Sequence, residues 1–405
     1  MQKSWLLTCF INFFIAALMG LLLRLLYVFP IESINYQFLL HGHSHVAMLG
    51  WVYLMIYSLI VHFFIPKTTQ QNPVYNRLFW LTEIAVIGMM FRFPVEGYAL
   101  FSIAFSTLHI FCSYYFCRLA WKDAHTESLP EKLLLRTALF FMILSTLGVW
   151  CLGPAVGLLG KASAFYQIAI QFFLHFQFNG WFLFAILALF FNQLKVIINE
   201  KQFRLFYNLL VTATVLTLAL PVSWYLPNPV FHWINSLGVL LQLLSFILFI
   251  QIIKPLFPTF FTALKPVEKL VYGFALTSLF LKVIIQLVVL IPELAQISHQ
   301  IRNFVIGYIH LTMLGIITGF LFAFLLKNSF LNDSKKISNW GIKLFIFSFL
   351  LTELLLFGQG IYLFLGLGQF PCYYQNLFLS SIFLPIAILM LVFGLFKGTI
   401  KSHKY

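Results

Sequence analysis

The sequence predicts an all-α polytopic membrane protein of about twelve transmembrane helices in a pseudo-threefold arrangement of four-helix sets. Three observations carry this reading. The 405 residues are 61% hydrophobic and only 9% charged, with 50 phenylalanines, a balance that water-soluble domains do not have. Apolar runs long enough to cross a hydrocarbon core of about 30 Å recur from end to end. A histidine followed by glycine at the fifth position occurs three times, as His45…Gly50, His175…Gly180 and His310…Gly315, at steps of 130 and 135 residues. An imidazole inside a membrane segment is costly unless something pairs with it, so each is a functional candidate. Three of them at one repeat spacing suggest a site for a metal or a haem.

The runs cover about 4–29, 38–65, 78–95, 98–117, 137–160, 165–192, 205–226, 230–253, 270–291, 303–326, 342–367 and 374–396. Backbone groups in lipid must be satisfied within a helix or a closed barrel. Barrel strands would alternate over about ten residues, and these runs do not. The first run carries Arg24; its length and lack of a small-x-small cleavage site mark a retained helix, not a signal peptide. The second opens with His41-Gly-His43-Ser-His45. The third holds Glu83 and ends near Pro94. The fourth holds His109, Cys112 and Cys117, and is followed by the longest hydrophilic stretch, about Arg118 to Arg136, with Pro130 in it. The fifth contains Pro154, which should kink it. The sixth carries Gln171, His175, Gln177 and Asn179 among phenylalanines. The seventh contains Pro221 and stops before Pro227 and Pro229. The eighth stops near Pro255 and the ninth, with Lys282, near Pro292. The tenth carries Tyr308 and His310, the eleventh Glu353, and the twelfth, after Pro371, an internal Pro385. Loops are short and no extramembrane module stands out, so residues 1–405 read as a single integral membrane domain.

The net charge of +14 raises the question of nucleic acid, and its placement answers it. With the N-terminus inside, the cytoplasmic segments hold Lys3, Lys67, Arg77, Arg118, Lys122, Lys132, Arg136, Lys195, Lys201, Arg204, Lys254, Lys265, Lys269, Lys327, Lys335, Lys336, Lys343, Lys397, Lys401 and Lys404. The outer loops hold only Arg92, Lys161 and Arg302. That bias puts both termini in the cytoplasm, with the cations facing anionic lipid. No nucleic-acid partner is implied. The five cysteines form neither C-x-x-C nor C-x-x-C-H, so neither a zinc knuckle nor covalent haem attachment is indicated.

Even-numbered helices then run from outside to inside. From His45 to Lys67, His175 to Lys195 and His310 to Lys327 the helical rise is roughly 25–33 Å, which puts the three imidazoles at similar height in the outer part of the membrane. On α-helical geometry His41 and His45 share a face and His43 points nearly opposite. The glycines lie about 140° round the helix from their histidines. Imidazole is the commonest ligand for transition metals and haem iron; at the helix end His41 and His43 also read as interfacial residues. Arg302, about two turns outward of His310, suits a haem propionate or the water boundary. His175 with Gln171, Gln177 and Asn179 reads as a metal or ligand site, or as an interhelical hydrogen-bond network. A Lys282–Glu353 pair or a proton path would account for those two ionisable groups.

Twelve helices with histidines on the second, sixth and tenth, all near the outer face, resemble subunit I of the haem-copper oxidase superfamily, which includes the nitric oxide reductases. The resemblance spans nearly the whole chain in architecture and a few residues in motif. It implies that His45 and His310 clamp a low-spin haem and that His175 belongs to a copper or non-haem metal site. The sequence departs from the family in three places. The adjacent histidine pair on the seventh helix is missing, the tenth-helix H-x-H is Tyr308-Ile-His310, and the position four after His175 is Asn179 rather than tyrosine.

The expected function is therefore a haem-binding membrane protein with a non-covalent, b-type or related haem. Its role would be electron transfer or gas-ligand handling in respiration. It would sit in lipid, in a bacterial cytoplasmic (inner) membrane, with a cytochrome c or quinol donor and further membrane subunits as partners. Two other classes stand beside it. One is an active terminal oxidase or nitric oxide reductase, with a second metal, copper or iron, held by His175 with His41 or His43. The other is a copper or zinc transporter or sensor built on His41, His43 and His45.

Overall fold

The computed structural model describes residues 1–194, 199–331 and 336–396. Five of the lysines used to assign topology, Lys195, Lys335, Lys397, Lys401 and Lys404, lie outside the described residues. Twelve helices are long and apolar enough to span a membrane: α1 (Lys3–Leu25), α2 (Tyr36–Phe64), α3 (Pro73–Glu96), α4 (Leu100–Asp123), α5 (Leu129–Leu159), α6 (Ala164–Leu194), α7 (Glu200–Ser223), α8 (Pro229–Thr262), α9 (Pro266–Val288), α10 (Arg302–Lys327), α11 (Lys336–Phe364) and α12 (Tyr373–Leu395). The chain is an all-α polytopic membrane protein.

Neighbours in sequence pack as neighbours in space, and α12 returns against α1, which closes the ring. The helices that carry the repeated histidines stand apart. Most of the apolar stretch of α2 (83%), α6 (72%) and α10 (83%) is buried, against 33–56% for the other nine spans. These three meet at the centre. Tyr53 of α2 lies 6.1 Å from Trp181 of α6, ring to ring, and Phe190 of α6 lies 5.4 Å from Phe320 of α10. Between α2 and α10 the Trp51 indole N–H donates to Thr318 Oγ1 at 2.9 Å, while Trp51 stacks on Phe13 of α1 at 4.4 Å. One central helix per set of four is what a threefold repeat requires.

The repeat also has a backbone signature. Directly after each histidine the helix widens from α to π winding: Val46–Tyr53, Phe176–Phe182 and Leu311–Thr318. In a π turn the hydrogen bonds run to the fifth residue, so residues five apart share a face. The glycine of each motif lies inside this segment, and the 140° offset expected from α geometry does not hold there. Gly50 packs against Val86 of α3, seven residues from the Phe93 on which His45 stacks. Gly315 packs against Phe349 of α11, one turn from the Glu353 that faces His310. Each glycine also seats the helix before it in its own set: Gly50 meets Asn12 of α1, Gly180 meets Phe141 of α5 and Gly315 meets Ser278 of α9. A Cβ at any of the three would come within 2.7–3.1 Å of these partners. The α-helical stretches before the π turns hold 10, 12 and 9 residues, so each histidine closes a stretch of roughly 14–18 Å of helical rise.

Polar groups in the first set are satisfied internally. Asn12 donates to the Gly50 carbonyl at 3.1 Å and to the Glu83 carboxylate at 2.8 Å, tying α1, α2 and α3 together. One sequence expectation changes. The hydrophilic stretch 118–136 is mostly helix, because α4 runs on to Asp123 and α5 starts at Leu129, with the Ser128 hydroxyl accepting the Glu131 N–H. Pro94 sits in the last turn of α3, and the α-helical winding of α8 ends at Ile253 with Pro255 in the 3-10 turn Lys254–Leu256, as their places at the ends of the apolar runs suggested. Pro94 is accommodated because Gly42 of α2 leaves room for its ring, and α3 stops three residues later at Gly97, whose φ is +62°.

Two outcomes follow from this packing. A Cβ at Gly148 of α5 would stand 2.4 Å from the Ala169 carbonyl of α6, whereas Gly153 has open space around it. Gly148→Ala should lower stability by roughly 1–3 kcal/mol, since backbone cannot move aside cheaply, and Gly153→Ala should not, as read by thermal unfolding in detergent. Thr318→Val keeps the shape of the core but leaves the Trp51 N–H buried without an acceptor. It should cost about 1–3 kcal/mol, and much less in a Trp51→Phe background.

Candidate functional site: three histidine clusters

Each repeated histidine faces the third helix of its own set. His45 stacks on Phe93 of α3 at 4.2 Å, His175 donates from Nε2 to the Thr214 carbonyl of α7 at 2.7 Å, and His310 turns Nδ1 to Glu353 of α11 at 3.4 Å. In the first and third sets the residue two positions earlier faces the other way, toward the first helix of its own set. His43 donates from Nδ1 to the Ala16 carbonyl of α1 at 2.8 Å, and its ring fills the space beside Gly20. Tyr308 faces Lys282 of α9, the ammonium lying 5.7 Å from its ring centre. The three faces therefore become three polar clusters with different chemistry.

The first cluster lies among α2, α3 and α4. His45 donates from Nδ1 to the His41 carbonyl at 2.8 Å, and His41 lies edge-on to Tyr98 at 4.6 Å. His109 of α4 is buried within electrostatic reach of His45, with Tyr53 edge-on at 4.7 Å. The walls are aromatic.

The second lies among α6, α7, α9 and α10. It holds His175, Asn179, Lys282, Gln286 and Tyr308, with Gln242 of α8 behind. Both nitrogens of His175 are engaged: Nε2 by Thr214, and Nδ1 by the Asn179 amide at 3.5 Å. Lys282 donates to Gln286 Oε1 at 2.9 Å, and the same oxygen accepts from Gln242. Gln177 belongs to a different contact, donating to Ser145 of α5 at 2.9 Å.

The third lies among α10, α11, α12, α1 and α2. His310 and His43 are within electrostatic reach of each other and of Arg24, which bonds Ser381 of α12 and faces Glu353. His310 Nδ1 and Glu353 Oε1 lie in ion-pair range, and neither they nor Glu353 Oε2 make a hydrogen bond. The His310 side chain is 21% exposed, so protein does not cover it completely. At the outer mouth between α10 and α2, the Arg302 guanidinium lies 5.8 Å from the Tyr36 ring.

The sequence residues are thus regrouped. His45 and His310, expected as a pair, lie in different clusters; the imidazole that α2 presents toward His310 is His43. The physical reason is the two-residue step, which turns a side chain about 200° round the helix. His41, His43 and His45 do not converge. Among the described residues no group of three or more histidine, cysteine, aspartate or glutamate side chains is arranged to hold a metal ion. Lys282 stands with Gln286 and Tyr308, while Glu353 stands with His310 and Arg24, so these two do not pair. Arg24 had no assigned role in the sequence, although an arginine inside a span was itself the signal.

No protein-family model and no curated protein matches this chain.

Proposed function

We propose that the chain is a haem-binding integral membrane protein whose iron is held by His43 and His310. One observation carries the reading: of the three equivalent clusters, the third receives imidazoles from two central helices. The residues there suit such a group in two ways. A ligating histidine is normally fixed by an acceptor on its other ring nitrogen. His43 has the Ala16 carbonyl in that place and His310 has Glu353 nearby, which leaves Nε2 of each ring for a ligand. The exposed part of His310 and the unpartnered Glu353 oxygens mark space and polarity that protein alone does not fill.

His43 and His310 would hold the group from two central helices, and a haem held so would supply one-electron transfer rather than ligand activation. Arg24 would offset negative charge beside it, and Arg302 would meet acidic groups at the mouth. A cytochrome c or a quinol would serve as donor. The reading as an oxygen- or nitric-oxide-reducing enzyme is less favoured. It needs a second metal at His175, whose ring nitrogens are both engaged and which shares its cluster with the Lys282 ammonium. Bringing a second cation there would be repulsive.

The test is the reduced-minus-oxidised spectrum of protein purified after expression with ample haem. Wild type should show a sharp α-band. His43→Ala and His310→Ala should each remove nearly all haem, while His45→Ala and His175→Ala should keep it. A wild-type chain without haem would refute the proposal. Loss of haem in His45→Ala with retention in His43→Ala would refute the ligand assignment.

A further inference from the structure

We infer that the second cluster is a binding site for a small, weakly hydrated monovalent anion of the nitrate, nitrite or formate class, with Lys282 as its countercharge. This does not depend on the haem reading.

Lys282 is 2% exposed and lies inside the span α9. Its ammonium has three N–H donors. Gln286 Oε1 accepts one of them, and the Tyr308 ring at 5.7 Å offers only a distant π face. Among the described residues no carboxylate forms an ion pair with it. A charge taken out of water needs a partner of opposite sign or a full set of hydrogen bonds, and Lys282 has neither.

The neighbouring groups cannot supply the missing charge. His175 donates through Nε2 to a carbonyl, and its Nδ1 receives the Asn179 amide, so its ring is neutral. Gln286 Oε1 is already shared with Gln242. Tyr308 brings a phenol, a further donor. Lys282 keeps donors without an acceptor, and Asn179 Oδ1, a buried oxygen of the cluster without a partner, is neutral and supplies no countercharge. One buried positive charge admits one negative charge. Aromatic and aliphatic walls favour an anion that gives up its water easily.

Outward of His175 the side chains of α6, including Gln167 and Gln171, are partly exposed, while inward of it nearly all are buried. Tyr225, bonded to His299 at 3.2 Å, stands at that outer end beside Gln171. Polar side chains thus stand on the half of α6 outward of the cluster, and its inner half is buried.

The experiment is thermal unfolding of the full chain in detergent, titrated with sodium nitrate against sodium gluconate at equal ionic strength. It is run in wild type and in His43→Ala/His310→Ala, so that binding at an iron cannot contribute. Nitrate weakens proteins in general, so a saturable rise in Tm with nitrate alone reports binding to the folded state. The expected result is such a rise in both backgrounds. Lys282→Gln should raise the midpoint concentration about tenfold or more, and Lys282→Arg should retain a response, because charge is what the site supplies. Should Lys282→Gln not accumulate, Tyr308→Phe takes its place and should raise the midpoint about threefold. An equal response to nitrate and gluconate in wild type overturns the proposal. So does a Lys282→Gln midpoint equal to that of wild type, or an unchanged Tyr308→Phe midpoint where that variant stands in.

Discussion

An imidazole cannot be left in hydrocarbon without a partner, and the architecture follows from that constraint applied three times. The helices that carry His45, His175 and His310 are the ones the other nine enclose. Apolar helices alone gain little from burial in a bilayer, because lipid tails are as apolar as leucine. What sets α2, α6 and α10 at the centre is polar chemistry together with the close packing that their glycines allow. The Trp51–Thr318 hydrogen bond shows the same principle at the axis, where a buried indole N–H finds its acceptor on another central helix.

The π turn after each histidine connects motif to packing. An α-helix would carry the glycine away from the face that holds the histidine. The wider turn keeps Gly50 on the α3 side with His45, and Gly315 on the α11 side with His310. In these two sets the histidine-bearing face is thereby held against a neighbouring helix one turn further in, whereas Gly180 meets α5 and His175 faces α7. The same turn divides the central helices. Inward of it almost every side chain is buried, and outward of it the helices are looser. Polar groups collect at that boundary, where space and partners coincide.

Pseudosymmetry with unequal side chains gives three clusters of one geometry and three chemistries. The first is lined by aromatic rings around His45 and His109. The second is organised by a buried ammonium, and the third by two imidazoles, a guanidinium and a carboxylate. The scaffold is repeated while the occupants differ, so function here belongs to particular side chains and not to the fold.

Much of this was legible in the chain. Composition and run length were enough for twelve helices, since hydrocarbon allows few other ways to satisfy a backbone. The spacing of His45, His175 and His310 announced the repeat, and the alternation along His41-Gly-His43-Ser-His45 announced two opposed faces. The ends of α4 and α5 were less legible, because helices continue past the hydrocarbon into water, where hydropathy stops reporting on them. What the sequence by itself determined was therefore the helices, their repeat and which side chains had to be enclosed. Only the tertiary structure decided that His43 and not His45 turns toward His310, that Arg24 joins them, and that Lys282 stands with His175 instead of Glu353. Periodicity orders the faces of one helix, but which neighbour each face meets depends on how the ring closes, α12 against α1, across nearly the full length of the chain.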